Sequence, residues 1–594
     1  MSETYRYAPL EKDGDVHFRL MKVLDTDGQN IHLSIECFPL EVAPPFTALS
    51  YMWGDTAKPH VVLVDGKELR ITDSLFKFFQ QTRLQHKAET EQAAIWTGWL
   101  WIDAVCINQD DKIERGQQVG HMRAIYEKAQ NILIWLGTAQ VETSLAFDLL
   151  RGITGAEDEE LDFGRDEDEP EYMCRFSGPK TSVRVSNSVL PVVHHLLNSP
   201  YWDRAWIIQE ASTPKRTSAE DALKRVCLVC AGDQWIDFNQ YAEANRRLIL
   251  AAWNNPLRDT LELHNVANAN LETIQFLEDR RFRHQHISAL YPMLVRTRTS
   301  LATDPKDKLY ATMGLTTGAD DPELPAPDYT LSAEEVYTQL TINIIARSMS
   351  LDCLGSAGLV RTLKVPSWVA DWTVQNAPSP FYMVERFHNE DGSVKHEANL
   401  FDASKDMKPN ISFEIEGAGV LSVNGFTFDT ISRVALPRHW PDEDLKAIWQ
   451  DWIAMVQDLG GTYVAGGSTF DAFASTLKGD YSDCWGDWSA ERGSTIEEFT
   501  DLDVNAFELH DGIVDSMTWH RRLFVTKKGH LGLVAAAAGV GDHVCILAGS
   551  QMPMVLHAVQ DKWLFVGQAY VHGIMDGEAV SEGVESFQRT YHIC

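Results

Sequence analysis

Basic residues are scarce in this chain: 52 Lys and Arg stand against 85 Asp and Glu, a formal net charge of −33 over 594 residues. A molecule with that field repels phosphate backbones and anionic lipid surfaces, which argues against nucleic-acid binding and against a membrane-surface role. Cysteine is sparse as well. Nine, an odd number, are spread along the length, the usage of reduced intracellular thiols rather than of a disulfide framework. No apolar run reaches a membrane span; Leu531 to Val540 is short and rich in Ala and Gly. The amino terminus lacks the charged-then-apolar pattern of a secretory signal. Cys594 stands last rather than fourth from the end, where prenylation would need it. A cytoplasmic protein is expected. The chain also lacks a G-x-x-x-x-G-K-[ST] loop, a G-x-S-x-G elbow and an H-E-x-x-H helix, which removes three common catalytic frameworks. Cys227-Leu-Val-Cys230 has no second ligand pair, and neither His194-His195 nor His284-Gln-His286 has a carboxylate at metal spacing. No metal site is expected, and Cys227 and Cys230 read as buried thiols in an apolar strand.

What is present is globular: 44% hydrophobic residues with 18 Trp and 25 Phe, in a chain too long for one core. The most informative stretch is Leu100 to Gly137. Leu100 to Ile102 suits a buried strand, and a polar turn follows at Asn108 to Asp111. Val119, Met122, Ile125, Tyr126 and Ala129 recur at helical spacing before a second buried run at Ile132 to Leu136. Such a unit implies parallel strands joined by a crossover helix. Ligands of open parallel sheets sit beyond the carboxyl ends of the strands, which puts Asp103, Asn108 and Gln109 on the functional face.

Along the chain, residues 1–45 read as a β-rich entry segment. Residues 46–212 form an α/β domain whose acidic block at 157–171 is expected to be a solvated loop. Ser199-Pro200 reads as a helix start, a hydroxyl cap followed by proline at the first helical position, with Trp202, Ala205, Trp206 and Glu210 on one face. Residues 213–400 read as mainly helical. Residues 401–594 mix strands, punctuated by Gly529, Gly532, Gly541, Gly549 and Gly567 as in a small β sheet or barrel, with helices near 441–458 and 468–477.

Several ordered motifs together carry a resemblance. Ala48-Leu-Ser-Tyr-Met-Trp-Gly54, Leu100-Trp-Ile-Asp-Ala-Val-Cys-Ile-Asn-Gln109, Glu114-Arg115, Trp135-Leu-Gly137 and Pro200-Tyr-Trp-Asp-Arg-Ala-Trp-Ile-Ile-Gln-Glu210 resemble the heterokaryon incompatibility (HET) domain of filamentous fungi. Thr303-Asp-Pro-Lys-Asp-Lys-Leu-Tyr310, Pro366-Ser-Trp-Val-Ala-Asp-Trp372 and Tyr570-Val-His-Gly-Ile-Met-Asp-Gly-Glu578 look like segments of full-length members. The resemblance implies a role in non-self recognition, where the HET domain triggers programmed cell death. It also implies a distant likeness to the Toll/interleukin-1 receptor (TIR) domain and so a flavodoxin-like parallel sheet. In TIR enzymes a helix carrying an aromatic residue, a Trp and a Glu at the spacing of Tyr201, Trp206 and Glu210 supports cleavage of the nicotinamide–ribose bond of NAD. Arg204 stands where TIR domains have a small polar residue.

Two functions follow. In the first, Glu210 is the catalytic carboxylate that stabilises an oxocarbenium-like state without metal or cofactor, NAD being the substrate. Ser50, Tyr51, Trp53, Asp103, Asn108, Tyr201 and Trp206 would line its pocket. The plainer roles for the same residues are a Glu210 paired with Arg204 or Arg115, turn or cap positions for Asp103 and Asn108, a sheet-edge hydrogen bond from Ser50, and core packing for Trp53, Trp101, Trp135 and Trp206. In the second, the HET domain is a non-enzymatic module that assembles with itself or a protein partner, held inactive by the rest of the chain. A pocket that gathers Glu210 with Asp103 or Ser50 separates the first function from the second. Tyr570 to Glu578 is expected to be a turn packing the carboxyl domain on the HET domain.

Overall fold

Six consecutive residues, Phe46–Tyr51, are all buried, and the amino-terminal half is arranged around them. The computed structural model describes residues 3–11, 14–24, 30–86, 93–154, 161–165, 172–176, 182–185, 188–211, 226–253, 290–314, 326–378, 380–381, 387–388, 394–396, 401–414, 419–439, 445–479, 514, 517–580 and 588–594. They fall into two units: Met1–Leu290 with Thr299–Asp321 and Pro325–Thr330, and Tyr291–Arg298 with Pro322–Leu324 and Leu331–Cys594. Among the described residues no helix is long and apolar enough to cross a membrane.

The first unit holds a nine-stranded sheet. Its first seven strands are His17–Leu24 (β1), His32–Pro39 (β2), Phe46–Tyr51 (β3), His60–Val64 (β4), Lys67–Ile71 (β5), Trp99–Trp101 (β6) and Asn131–Trp135 (β7). Val226–Ala231 and Gln234–Asp237 complete it. The centre is parallel: Val226–Ala231 pairs with β7, β7 with β3, and β3 with β6. On one side β1 pairs antiparallel with β6 and β2, β2 pairs parallel with β4, and β5 is the antiparallel edge; on the other side Gln234–Asp237 is the antiparallel edge. The expected wholly parallel sheet is therefore mixed. Residues 1–45 hold β1 and β2, and both are strands of this sheet.

The strand–helix–strand unit read from Leu100 to Gly137 is present, with β3 inserted between its two strands. Its helix, Lys112–Lys128, begins where Asp111 accepts the amides of Ile113 and Glu114 at 3.0 and 3.1 Å, a capping bond worth about 1 kcal/mol. Val119, Met122, Ile125 and Tyr126 bury its apolar face. Glu114 meets Arg19 of β1 through bonds of 2.6 and 3.0 Å and also accepts the amide of Asn108. Gly116 sits mid-helix, where glycine costs about 1 kcal/mol relative to alanine. A Cβ there would stand 2.5 Å from the Pro327 carbonyl oxygen, so the glycine lets the chain at Pro327–Tyr329 pass close to the helix.

Three other expectations change. The acidic block is a strand at Leu161–Arg165, the edge of a three-stranded antiparallel sheet with Tyr172–Phe176 and Ser182–Val185; its remaining residues, 157–160 and 166–171, lie outside the described residues. The helix read from Ser199 to Glu210 is broken. Ser199 does cap it, but a 3-10 turn at Pro200–Asp203 ends at Arg204, whose extended backbone bridges to Leu301 before a short helix at Ile207–Ala211. The mainly helical middle contains four strands, two in the nine-stranded sheet and two paired with each other at Phe387–His388 and Val394–His396, besides helices at Phe238–Trp253, Leu290–Arg296, Asp307–Met313 and Ala333–Ser348. Cys227 and Cys230 are buried in one of those strands, and His284 and His286 lie outside the described residues.

In the second unit the strand Val420–Val434 pairs with both Arg521–Thr526 and His543–Leu547. The circuit is completed through Leu531–Ala535, Lys562–Val571 and Met554–Val559, so six strands close into the barrel that the glycine punctuation suggested. Strand alternation sorts its side chains. Leu523 and Val525 pack in a cluster with Trp449, Trp452 and Phe473 of helices Leu445–Gln457 and Thr469–Lys478, while Phe524 joins Ile431, Val534, Val544, Val555 and Val566 in a second cluster. Ser367 of the Pro366–Trp372 motif donates to the Cys594 carbonyl and accepts the Phe565 amide at 2.8 Å. The Tyr570–Glu578 segment is a turn whose bonds run to Tyr463 and Asp402 of the same unit.

At Gly425 the closing strands approach tightly: a Cβ would stand 2.4 Å from the Ile546 carbonyl oxygen. Gly425→Ala should cost about 1–3 kcal/mol, the range for overpacking. Gly461→Ala, with nothing within 4 Å of its Cβ, should be near neutral. Thermal denaturation of the two variants against wild type reads the difference.

Candidate active site

Beyond the carboxyl ends of β3 and β6 lies a cavity of about 920 Å³, the location expected for a ligand of an open sheet with parallel central strands. Trp53, which follows β3, donates its indole N–H to both oxygens of Asp103 at 3.0 and 3.2 Å. Asp103 opens the one-turn helix Asp103–Cys106 and accepts the Ala104 amide at 2.7 Å. The opposite wall comes from the two stretches joined at the Arg204–Leu301 bridge. Arg204 and Trp206 belong to one, Asp304 and Asp307 to the other. Arg115, on the long helix Lys112–Lys128, completes it at 3.5 Å from Asp304 and 3.7 Å from Asp307. Its guanidinium lies 3.6 Å from the ring centre of Tyr329, which the close pass at Gly116 brings there.

Behind this wall is a buried polar chain. The Ser50 hydroxyl donates to the Glu210 carboxylate and lies 2.5 Å from the Tyr201 hydroxyl. Glu210 is 2% exposed and pairs with Arg204 at 3.2 and 3.5 Å. Arg204 thus has its guanidinium between Glu210 and the cavity. Burial works against that cation, but the charge of Glu210, with Tyr201 and Asp103, outweighs it and raises the guanidinium above its usual range. Tyr51 is 1% exposed, and its hydroxyl has no hydrogen-bond partner among the described residues.

Of the residues singled out from the sequence, Trp53, Asp103 and Trp206 line the cavity, and Ser50, Tyr201 and Glu210 form the chain behind it. Tyr51 is buried close to the charges of Asp103, Arg204 and Glu210. Asn108 is apart: its amide donates to Glu114, and it does not line the cavity. Gln109 lines the cavity and braces the Asp103 carbonyl at 2.9 Å. Sequence reasoning missed Asp304, Asp307 and Tyr329 and assigned Arg115 no place in the cavity. The signal for the two aspartates was the motif Thr303 to Tyr310, noted as recurrent but given no chemistry. Tyr329 had none.

Two carboxyls in this cavity are unusual. Burial, then the neighbouring charge of Glu210, pushes Asp103 up to about 6; burial, with Asp304 adding, pushes Asp307 up to about 6 against the lowering effect of Tyr329 and Arg115. A carboxyl raised on folding binds its proton more tightly in the folded state, so its stabilising contribution is full below pH 4 and is lost as pH rises through 6. The melting temperatures of Asp103→Asn and Asp307→Asn should therefore gain on wild type from pH 4 to pH 7. Parallel profiles for wild type and both variants would show that neither carboxyl holds its proton.

Residues 46–210 match the family model "Heterokaryon incompatibility protein (HET)", and residues 435–588 match "Het-6 beta-barrel domain". The chain is 24% identical to "Heterokaryon incompatibility protein 6, OR allele" of Neurospora crassa, an alignment that covers 95% of each chain. No solved structure matches. The first match spans the strands and the buried carboxylate of the cavity, and the second spans most of the closed barrel. The chain is a fungal HET-domain protein, in which a HET domain is followed by a Het-6 β-barrel domain.

Proposed function

We propose that this protein acts in fungal non-self recognition and that its HET domain carries out the response, programmed cell death, by cleaving the nicotinamide–ribose bond of NAD. The observation that carries this reading is the grouping of Glu210, Ser50 and Tyr201 directly behind a cavity walled by Trp53, Asp103 and Arg204. Trp53 offers an aromatic face for a base or a nicotinamide ring. The bond breaks heterolytically. Its electron pair goes to the ring nitrogen, which leaves as neutral nicotinamide, and the positive charge passes to the sugar. Glu210 stabilises that charge electrostatically. Water adds to the anomeric carbon, Asp103 accepts its proton, and ADP-ribose results. No cofactor takes part.

A second reading has its own support: Glu210 is 2% exposed and already paired, as a structural ion pair would be. The HET domain would then signal by self-association or by binding a protein partner, restrained by the carboxyl region until a non-self cue arrives.

Nicotinamide release from NAD by the purified full-length protein separates the two. Cleavage by wild type that falls by at least about 10²-fold in Glu210→Gln, the loss typical of a missing electrostatic contact to a transition state, supports the first. Absence of release from wild-type protein that is folded, and that assembles, supports the second.

A further inference from the structure

The Arg204–Glu210 pair has the geometry of a contact that can exchange. At 3.2 and 3.5 Å it is longer than the roughly 2.7–2.9 Å of a tight charge-assisted bond. Arg204 keeps 17% of its side chain exposed while Glu210 keeps 2%, so one partner reaches the cavity and the other does not. Its backbone lies between a 3-10 turn and a helix rather than inside either. Glu210 also holds a bond that does not depend on Arg204, the one from Ser50. Beside them is the unpartnered Tyr51 hydroxyl, and a buried hydroxyl left without a partner costs about 1–3 kcal/mol. The group is built to accept another polar partner. A guanidinium matches a phosphate in the same two-pronged manner as a carboxylate.

We propose that Arg204 is the phosphate-recognising residue of the cavity, exchanging Glu210 for the diphosphate of a dinucleotide and thereby opening Glu210 to the sugar beside it. The inference rests on the reading of this cavity as a nucleotide site. It makes the diphosphate both a binding group and the trigger that exposes the carboxylate. A nucleoside without phosphate would bind and leave Glu210 covered. Arg115 is the less suited cation, because Asp304 and Asp307 already flank it. The arginine that sets this chain apart from the TIR pattern is, on this view, its specificity device.

The test is calorimetric titration of the full-length protein with ADP-ribose and with adenosine, for wild type, Glu210→Gln and the double variant Arg204→Gln/Glu210→Gln. Neutralising Glu210 frees Arg204, so Glu210→Gln should bind ADP-ribose about tenfold more tightly than wild type, a change of about 1.4 kcal/mol. The double variant leaves no orphaned charge in the core, which guards against misfolding, and should bind ADP-ribose at least tenfold more weakly than wild type. Adenosine affinity should be the same in all three. A double variant that keeps ADP-ribose affinity within twofold of wild type overturns the proposal, as does a Glu210→Gln that binds no more tightly. No binding of ADP-ribose by wild type overturns it too. Nicotinamide release from NAD is measured alongside. The expected affinity changes without release would sustain the exchange and sink the cleavage reading; release with unchanged affinities would do the reverse.

Discussion

A carboxylate with 2% of its surface exposed and an arginine beside it form the constraint around which the HET domain is arranged. Removing two charges from water costs several kcal/mol per ion, and the attraction between them recovers this only with good geometry and extra hydrogen bonds. Glu210 has those bonds, from Ser50 at the end of the central strand and, through Ser50, from Tyr201. The requirement explains the local chain path. A continuous helix from Pro200 would have carried Arg204 and Glu210 six residues apart, facing different sides. Breaking it at Arg204, where the backbone extends to bridge Leu301, allows the guanidinium to fold back on the carboxylate.

The same break delivers the cavity wall. The bridge to Leu301 brings Asp304 and Asp307 opposite Asp103, and the glycine at 116 admits the close pass that sets Tyr329 over Arg115. Acidic and basic groups therefore meet in one cavity, with two carboxyls raised to about 6 by burial. That combination suits a ligand that bears both a positive ring and negative phosphates better than one of a single sign. It also separates the site from the molecule's overall charge, which is strongly negative.

The carboxyl unit solves a different problem. A single 15-residue strand, Val420–Val434, pairs at both of its edges and closes six strands into a barrel. Register shifts near Thr427 and Ile431 give it the bend that closure requires. The Pro366–Trp372 motif is structural: Ser367 pins the chain end at Cys594 to the strand Lys562–Val571, and Asp371 accepts three backbone amides and two hydroxyls. Against burial, which raises it, those bonds hold the Asp371 carboxyl below its ordinary value.

Local pattern determined a good deal. The buried runs at Leu100 and Ile132, the helix with Val119, Met122, Ile125 and Tyr126 on one face, the cap at Ser199, and the strands and glycines of the carboxyl region were legible because each is set by residues within a turn or two of one another. So was the place of Ser50 and Asp103 at the carboxyl ends of two strands. Tertiary structure decided the rest. That β1 and β2 complete the central sheet depends on pairing across tens of residues, with the buried Arg19–Glu114 pair tying β1 to the helix. That Asn108 lies off the cavity while Arg204 lines it depends on how the chain is packed, not on spacing. Asp304, Asp307 and Tyr329 reach the cavity from 100 residues or more beyond Asp103 and Arg204 in sequence, and no periodicity carries that far. Helical and strand periods report which face a residue is on; only packing of the whole unit reports what that face meets.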